Sequence, residues 1–217
     1  MATVGNSMTR PVQAGGPPPG GGGRRIAGVL LIVSVVCMGL MAGLFWAFDI
    51  SVMPGLGDSD DKTFVTAMQH INADIENGLF GLVFVGALLV PGATAVVLFA
   101  QRRPAAALWT VLAVAAYFLV LILTMGVEVP LNDKLAAAGS PDRIADLHKV
   151  RADFEGVWVT VNHFRTLLCT VAVAALGRAL SLHARPQRVA TAPAAPPQGF
   201  PGRPGGSAAP QPYAGPR

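Results

Sequence analysis

Three stretches of this 217-residue chain, 26–48, 78–100 and 105–127, contain no charged residue, and each is 23 residues long. At about 1.5 Å per residue such a run crosses the ~30 Å hydrocarbon core of a bilayer as a helix. Inside that core the backbone must satisfy its own hydrogen bonds, so a helix is the form these runs can take. A fourth run, 157–177, reaches spanning length only if it includes Asn162, His163 and Arg165. Counting from Trp158, Arg165 then sits about 10 Å below the membrane boundary. A guanidinium at that depth costs at least ~2.5 kcal/mol unless something pairs with it or hydrates it. Within the run, Trp158, Asn162, Arg165 and Cys169 fall at i, i+4, i+7 and i+11 and share one helical face.

The fold class that follows is all-α: a four-helix transmembrane bundle with short helices on its outer face. Charged residues make up 13% of the chain, against about 25% in a soluble domain. The expected organisation is a disordered tail over 1–25, a membrane domain over 26–182 and a second disordered tail over 183–217. Both tails are dominated by Gly, Pro, Ala and Gln and have no apolar period. Gly39 and Gly43 in the first run have the spacing that lets membrane helices approach closely.

Charge sets the orientation. Arg10, Arg24, Arg25, Arg102, Arg103, Arg178, Arg185 and Arg188 fall on one side of a four-span chain, and all twelve acidic residues lie between Asp49 and Glu155. The positive-inside rule places both termini in the cytoplasm. Only three lysines accompany the many Ala, Gly, Pro and Arg residues. That composition fits a high-GC bacterium, and hence a multi-pass protein of the plasma membrane. The basic charges are dispersed rather than clustered in a patch, which argues against nucleic acid as a partner. Lipid is the expected partner, with a hydrophobic small molecule as candidate substrate. Trp46 and Trp158 mark the outer boundary and Trp109 the inner one, as aromatic belts do.

Two outer connections carry helices of their own. In the first, Asp61 to Ile75 puts Phe64, Met68, Ile71 and Ile75 on one face after an Asp-rich capping run. In the second, Ser140-Pro141-Asp142 reads as a helix start that continues through Gly156 into the fourth span. Asp49, Glu128 and the Asn162-His163-x-Arg165 group then converge at the outer mouth, with either Glu128 or Asp49 as partner of Arg165. No Walker loop, Rossmann glycines or nucleophile elbow is present. Cys37 and Cys169 lie inside spans, so neither a disulfide framework nor a cysteine metal site is expected. No cofactor is implied by these residues.

Four motifs, in order, carry a family resemblance. They are Met53-Pro54-Gly55-Leu56, Phe64-x-x-x-Met68-Gln69-x-Ile71-Asn72, Val129-Pro130-Leu131-Asn132, and Trp158-x-x-x-Asn162-His163-x-Arg165-Thr166. Over about residues 39–180 the chain resembles the anthrone oxygenase-like family of four-span membrane proteins. The resemblance implies a cofactor-independent oxidation of a hydrophobic aromatic or quinone-like substrate. It makes Asn132, Asn162, His163 and Arg165 the candidate site, and Glu128 joins them as the carboxylate beside it. Two positions depart from the family pattern: Glu128 stands where Asn is frequent, and Val161 where a second aromatic is frequent. A base (His163 or Glu128) and the Arg165 cation would suffice to form and hold a carbanion. The contrasting expectation is a non-enzymatic ligand-binding or accessory protein whose polar layer only holds the bundle together.

Overall fold

The computed structural model describes residues 21–185; of the tails expected over 1–25 and 183–217, residues 1–20 and 186–217 lie outside the described residues. Seven α-helices follow one another: α1 Gly21–Ala47, α2 Met53–Gly57, α3 Asp61–Ile75, α4 Gly78–Ala100, α5 Pro104–Leu123, α6 Val129–Ala137 and α7 Leu147–Ala184. No strand occurs among the described residues. Four helical segments are long and apolar enough to cross a membrane: 22–57, 78–100, 104–137 and 147–184. The expected four-helix bundle is what forms. α1 and α5 each pack against both α4 and α7.

The interior mixes small side chains with a few large ones, Met38, Phe84, Tyr117 and Leu176 among them, while many other large apolar side chains point outward. Ala87, Ala95, Ala106, Ala107, Ala113, Ala172 and Ala179 are buried, whereas Leu79, Leu82, Leu89, Val96 and Leu167 are exposed. In lipid there is no water to drive leucine inward, so close backbone approach and dispersion decide the packing. Gly39 and Gly43 do not take part: no atom of another described element lies within 4 Å of where a side chain would start. The small-residue spacing in α1 therefore serves no contact within this bundle.

Several boundaries move. α1 begins at Gly21, five residues before the expected start, and α7 runs to Ala184, two residues into the expected tail. Contacts between these ends explain both shifts: Arg24 Nη2 donates to the Ala184 carbonyl at 2.9 Å, and Arg103 Nη1 to the His183 carbonyl at 2.7 Å. Carbonyls that end α7 without an intrahelical partner thus gain cationic donors. The helix expected to start at Pro141 starts instead at Leu147, capped by Asp146, after a single 3-10 turn over Pro141–Arg143.

The first and third spans do not stop where their apolar runs stop. α1 passes through a π turn, Phe48–Val52, into α2, and α5 passes through a π turn, Thr124–Glu128, into α6. Each π bond is donated by the residue before a proline: Met53 N–H to Phe48 O, and Val129 N–H to Thr124 O. A proline ring crowds the carbonyl four residues back, and a widened turn relieves that clash without breaking the helix. Each widened turn carries one acid, Asp49 in the first and Glu128 in the second.

α3 is held over the end of the bundle rather than beside it. Phe64, Val65 and Met68 are buried with Phe48, Leu135, Phe154 and Trp158, each worth about 1.5–3 kcal/mol in removed apolar surface. Arg151 on α7 pins the preceding turn by donating to Gly57 O and Ser59 O, both at 2.8 Å, and to Glu155 at 2.7 Å. Its guanidinium lies 4.5 Å from the Phe64 ring centre.

Candidate functional site

The site is built where the two π turns face α7. Trp158, Asn162, Arg165 and Cys169 are all buried, so the predicted shared face is the one α7 turns inward. Arg165 is 6% exposed and Glu128 1%. The Arg165 Nη2 atom lies 3.1 Å from Glu128 Oε1, which makes Glu128 the ion-pair partner. Asp49 takes a different role. It accepts from the Asn162 Nδ2 group, and from Thr166 Oγ1 at 2.5 Å. Asn162 Nδ2 also donates to Phe45 O at 2.9 Å, and its Oδ1 accepts from Arg165 Nη2 at 2.8 Å. The order Asp49–Asn162–Arg165–Glu128 therefore runs from one π turn to the other across α7.

Aromatic rings close the Arg165 guanidinium in. Its carbon is 4.4 Å from the Phe45 ring centre and 5.4 Å from that of Trp158. Two ring faces of this kind favour a desolvated cation by about 2 kcal/mol or more. Trp158 is buried against Phe48 and Phe154 at 5.4 and 6.2 Å, not placed in a boundary belt. The reason is that α7 continues eleven residues beyond it to Leu147, and α3 covers that extension. Trp46 and Trp109, by contrast, are exposed on the bundle surface, as belt residues should be.

Beside the pair lies a cavity of about 340 Å³ bordered by α1, both π turns, α3, the start of α4, α6 and α7. That volume lies within the range of small-molecule sites. Its walls are mainly apolar, among them Phe45, Phe48, Ile71, Phe80, Phe84 and Met125. Met125 is also 62% exposed on the bundle surface, so the cavity meets the lipid-facing side at that residue. Several buried polar atoms in the same walls have no hydrogen-bond partner: Asn72 Nδ2, Trp158 Nε1 and Arg165 Nε on the donor side, both Glu128 oxygens and Asn132 Oδ1 on the acceptor side. The Glu128–Arg165 contact is close but not aligned as a hydrogen bond. Leaving such groups unsatisfied costs about 1–3 kcal/mol each, and these six atoms are concentrated around this one cavity.

Of the five candidate residues, Glu128, Asn132, Asn162 and Arg165 line this cavity together. His163 does not. It is exposed, its Nδ1 lies 2.7 Å from the Val159 carbonyl of its own helix, and it borders a separate open groove with Asp49, Asp58 and Glu155. One step of about 100° around the helix from Asn162 accounts for the separation. Thr166, Phe45 and Asn72 were missed as site residues. Thr166 was legible as the i+4 neighbour of Asn162, and Asn72 as the end of the α3 motif; Phe45 acts through its carbonyl and ring face, for which sequence has no signal. No group of three or more His, Cys, Asp and Glu residues suited to a metal ion occurs among the described residues.

The family model described as anthrone oxygenase matches residues 78–175, from the first residue of α4 to the last third of α7. The match takes in Glu128, Asn132, Asn162 and Arg165 but not Asp49, Phe45 or Asn72. No curated protein and no solved structure matches the chain.

Proposed function

We propose that this chain, an anthrone oxygenase-like membrane protein over residues 78–175, is an oxidoreductase that oxidises a hydrophobic aromatic substrate with molecular oxygen in the Glu128–Arg165 cavity. The observation that carries the proposal is the set of unpartnered donors and acceptors around a buried ion pair, in a cavity otherwise walled by aromatic and aliphatic side chains. A polycyclic ketone with an acidic CH₂ matches that pattern. Its oxygen meets the donors Trp158 Nε1, Asn72 Nδ2 and Arg165 Nε, and its rings meet the phenylalanines.

Glu128 is the base in this reading, because it faces the cavity and His163 does not. A Glu128 oxygen takes one proton from the CH₂ group, and the resulting carbanion delocalises onto the ketone oxygen. Arg165, held by Asn162 and flanked by rings, stabilises that oxyanion. The carbanion gives its electrons to oxygen, and a C–O bond forms. The second hydrogen leaves as a proton when the O–O bond breaks. One oxygen atom stays on the ring carbon as a second carbonyl, and the other departs as water together with the proton held by Glu128. We infer further, from the arginine distribution, that both termini are cytoplasmic, and from the Ala-, Gly-, Pro- and Arg-rich, lysine-poor composition that the membrane is the plasma membrane.

The test is oxygen uptake by the detergent-purified protein given an anthrone, beside quenching of Trp158 fluorescence in a Trp46→Phe, Trp109→Phe background. Wild type should consume one oxygen molecule per quinone formed. Glu128→Gln and Arg165→Lys should both quench on binding yet lose at least about 100-fold in rate, the scale of general-base and oxyanion contributions. Quenching by wild type without any oxygen uptake would leave a ligand-binding protein and end the oxidoreductase reading.

A further inference from the structure

The end of the bundle opposite the Glu128–Arg165 site has a charge balance that the proposed oxidation does not use. Arg24, Arg25, Arg102, Arg103, Arg178 and Arg185 gather around the start of α1, the α4–α5 turn and the end of α7. Hydrogen bonds fix these ends against one another: Arg24 to Ala184 O, Arg103 to His183 O, and Gln101 Nε2 to Gly23 O at 2.7 Å. Arg24 and Arg103 thus meet at neutral carbonyls, with no carboxylate on either. Burial, and then the charge of Arg24, hold Arg103 below the ordinary range of an arginine. Between them His183 is 5% exposed, with its Nε2 donating to Arg24 O at 3.1 Å and its Nδ1 left without a protein partner.

No side-chain counter-ion comes from the segments at this end. Residues 1–48 and 156–217 contain neither Asp nor Glu, so even the segments outside the described residues bring no side-chain carboxylate. The acids lie at the far end, on the order of 20 Å away along α7 from Arg178 to Arg165. Six guanidinium groups in the interfacial layer must therefore be neutralised from outside the protein. At the level of Arg178 and the exposed Trp109, the surrounding anion is the phosphodiester of a lipid headgroup.

We propose that the arginine end is a binding site for an anionic phospholipid headgroup, with the phosphodiester seated between Arg24 and Arg103 where α1, α5 and α7 meet. The guanidinium N–H groups not spent on Ala184 O, His183 O and Arg185 O supply paired donors to its oxygens. The acyl chains then lie along the exposed leucine and valine surface of the neighbouring helices.

The experiment uses the full-length chain in a neutral detergent, titrated with phosphatidylglycerol, phosphatidylcholine or inorganic phosphate. Bound lipid is counted by native mass spectrometry and unfolding is followed by temperature. Phosphatidylglycerol should bind more tightly than phosphatidylcholine and raise the unfolding temperature. The difference should shrink at 1 M salt, where the screening length falls to about 3 Å. An Arg24→Gln, Arg103→Gln protein should lose about fivefold in affinity for each arginine removed. Should that double variant not fold, the wild-type salt titration with the two lipids decides alone. Equal binding of the two lipids overturns the proposal, as does phosphate alone matching the effect of phosphatidylglycerol, or undiminished binding by the folded double variant.

Discussion

Arg165 is the residue whose burial the rest of the site answers. It has one carboxylate in contact, one amide and two ring faces, and the loss of any one of these has a different cost. Arg165→Ala leaves Glu128 buried and unpaired, and about 3–5 kcal/mol of stability should go with it. Arg165→Lys keeps the charge but loses the planar fork that reaches both Glu128 and Asn162, so it should unfold between wild type and the alanine variant. Taken as a lone interhelical hydrogen bond, Asn162 would be worth about 0.6 kcal/mol. It in fact joins two charged groups, Asp49 and Arg165, and bonds to charged groups are worth about 1.5–3 kcal/mol each. Asn162→Ala should therefore destabilise by more than about 1.5 kcal/mol. A loss near 0.6 kcal/mol, measured by reversible unfolding in mixed micelles, would show that Asp49 and Arg165 find other partners.

At the scale of elements, the two π turns decide where the acids point. An α-helix advances about 100° per residue, so one extra residue in a turn rotates everything after it by that amount. Pro130→Ala restores the donor and removes the clash that favours the wide turn at Thr124–Glu128. If the turn then closes to α geometry, Glu128 swings away from Arg165. A double-mutant cycle between Glu128→Gln and Arg165→Lys should show a coupling in the wild-type background that vanishes in Pro130→Ala. α3 offers a test of another kind. Asp60 caps it, and the bonds from the Thr63 hydroxyl and then the Thr63 N–H hold its carboxyl below the ordinary aspartate value of 3.8. The sign follows: the cap stabilises fully above about pH 3.8, and that contribution is lost as pH falls through the lower folded value. The protection factor at the first turn of α3, the exchange rate taken relative to the intrinsic rate at the same pH, should fall on acidification through that window, and an Asp60→Asn protein should show a smaller change.

At the scale of the whole molecule, the charge distribution predicts orientation. Every described arginine at one end of the bundle lacks an acid, and every acid lies at or beyond the site end. A reporter that functions only outside the cytoplasm should be active when fused near Asp58 or Gly139, and silent near Arg102. Activity at Arg102 would reverse the orientation, leaving the fold itself unchanged.

Length and period are local properties, and for that reason the four spans, the inward face of α7 and the amphipathic face of α3 were legible from the chain. The charge of Arg165 in an apolar run was legible too, because burying it demands a partner anywhere in a bilayer, and Glu128 was legible as an acid at the end of the third run. Which acid would answer Arg165 was not. That choice depends on helix register at two points, Phe48–Val52 and Thr124–Glu128, where one extra residue per turn redirects a side chain. The motifs held the cause in Met53-Pro54 and Val129-Pro130, but a proline is equally compatible with a helix end. Trp158 and His163 went the other way for a related reason. A tryptophan at the edge of an apolar run reads as a belt until α7 is seen to continue past it under α3. A histidine next to a buried asparagine reads as a site residue until the 100° step turns it outward. Composition and spacing thus determined that a membrane bundle forms and that it must hold a buried cation; only the packing of α1, α5 and α7 across sequence distances of 37 to 117 residues decided what meets it.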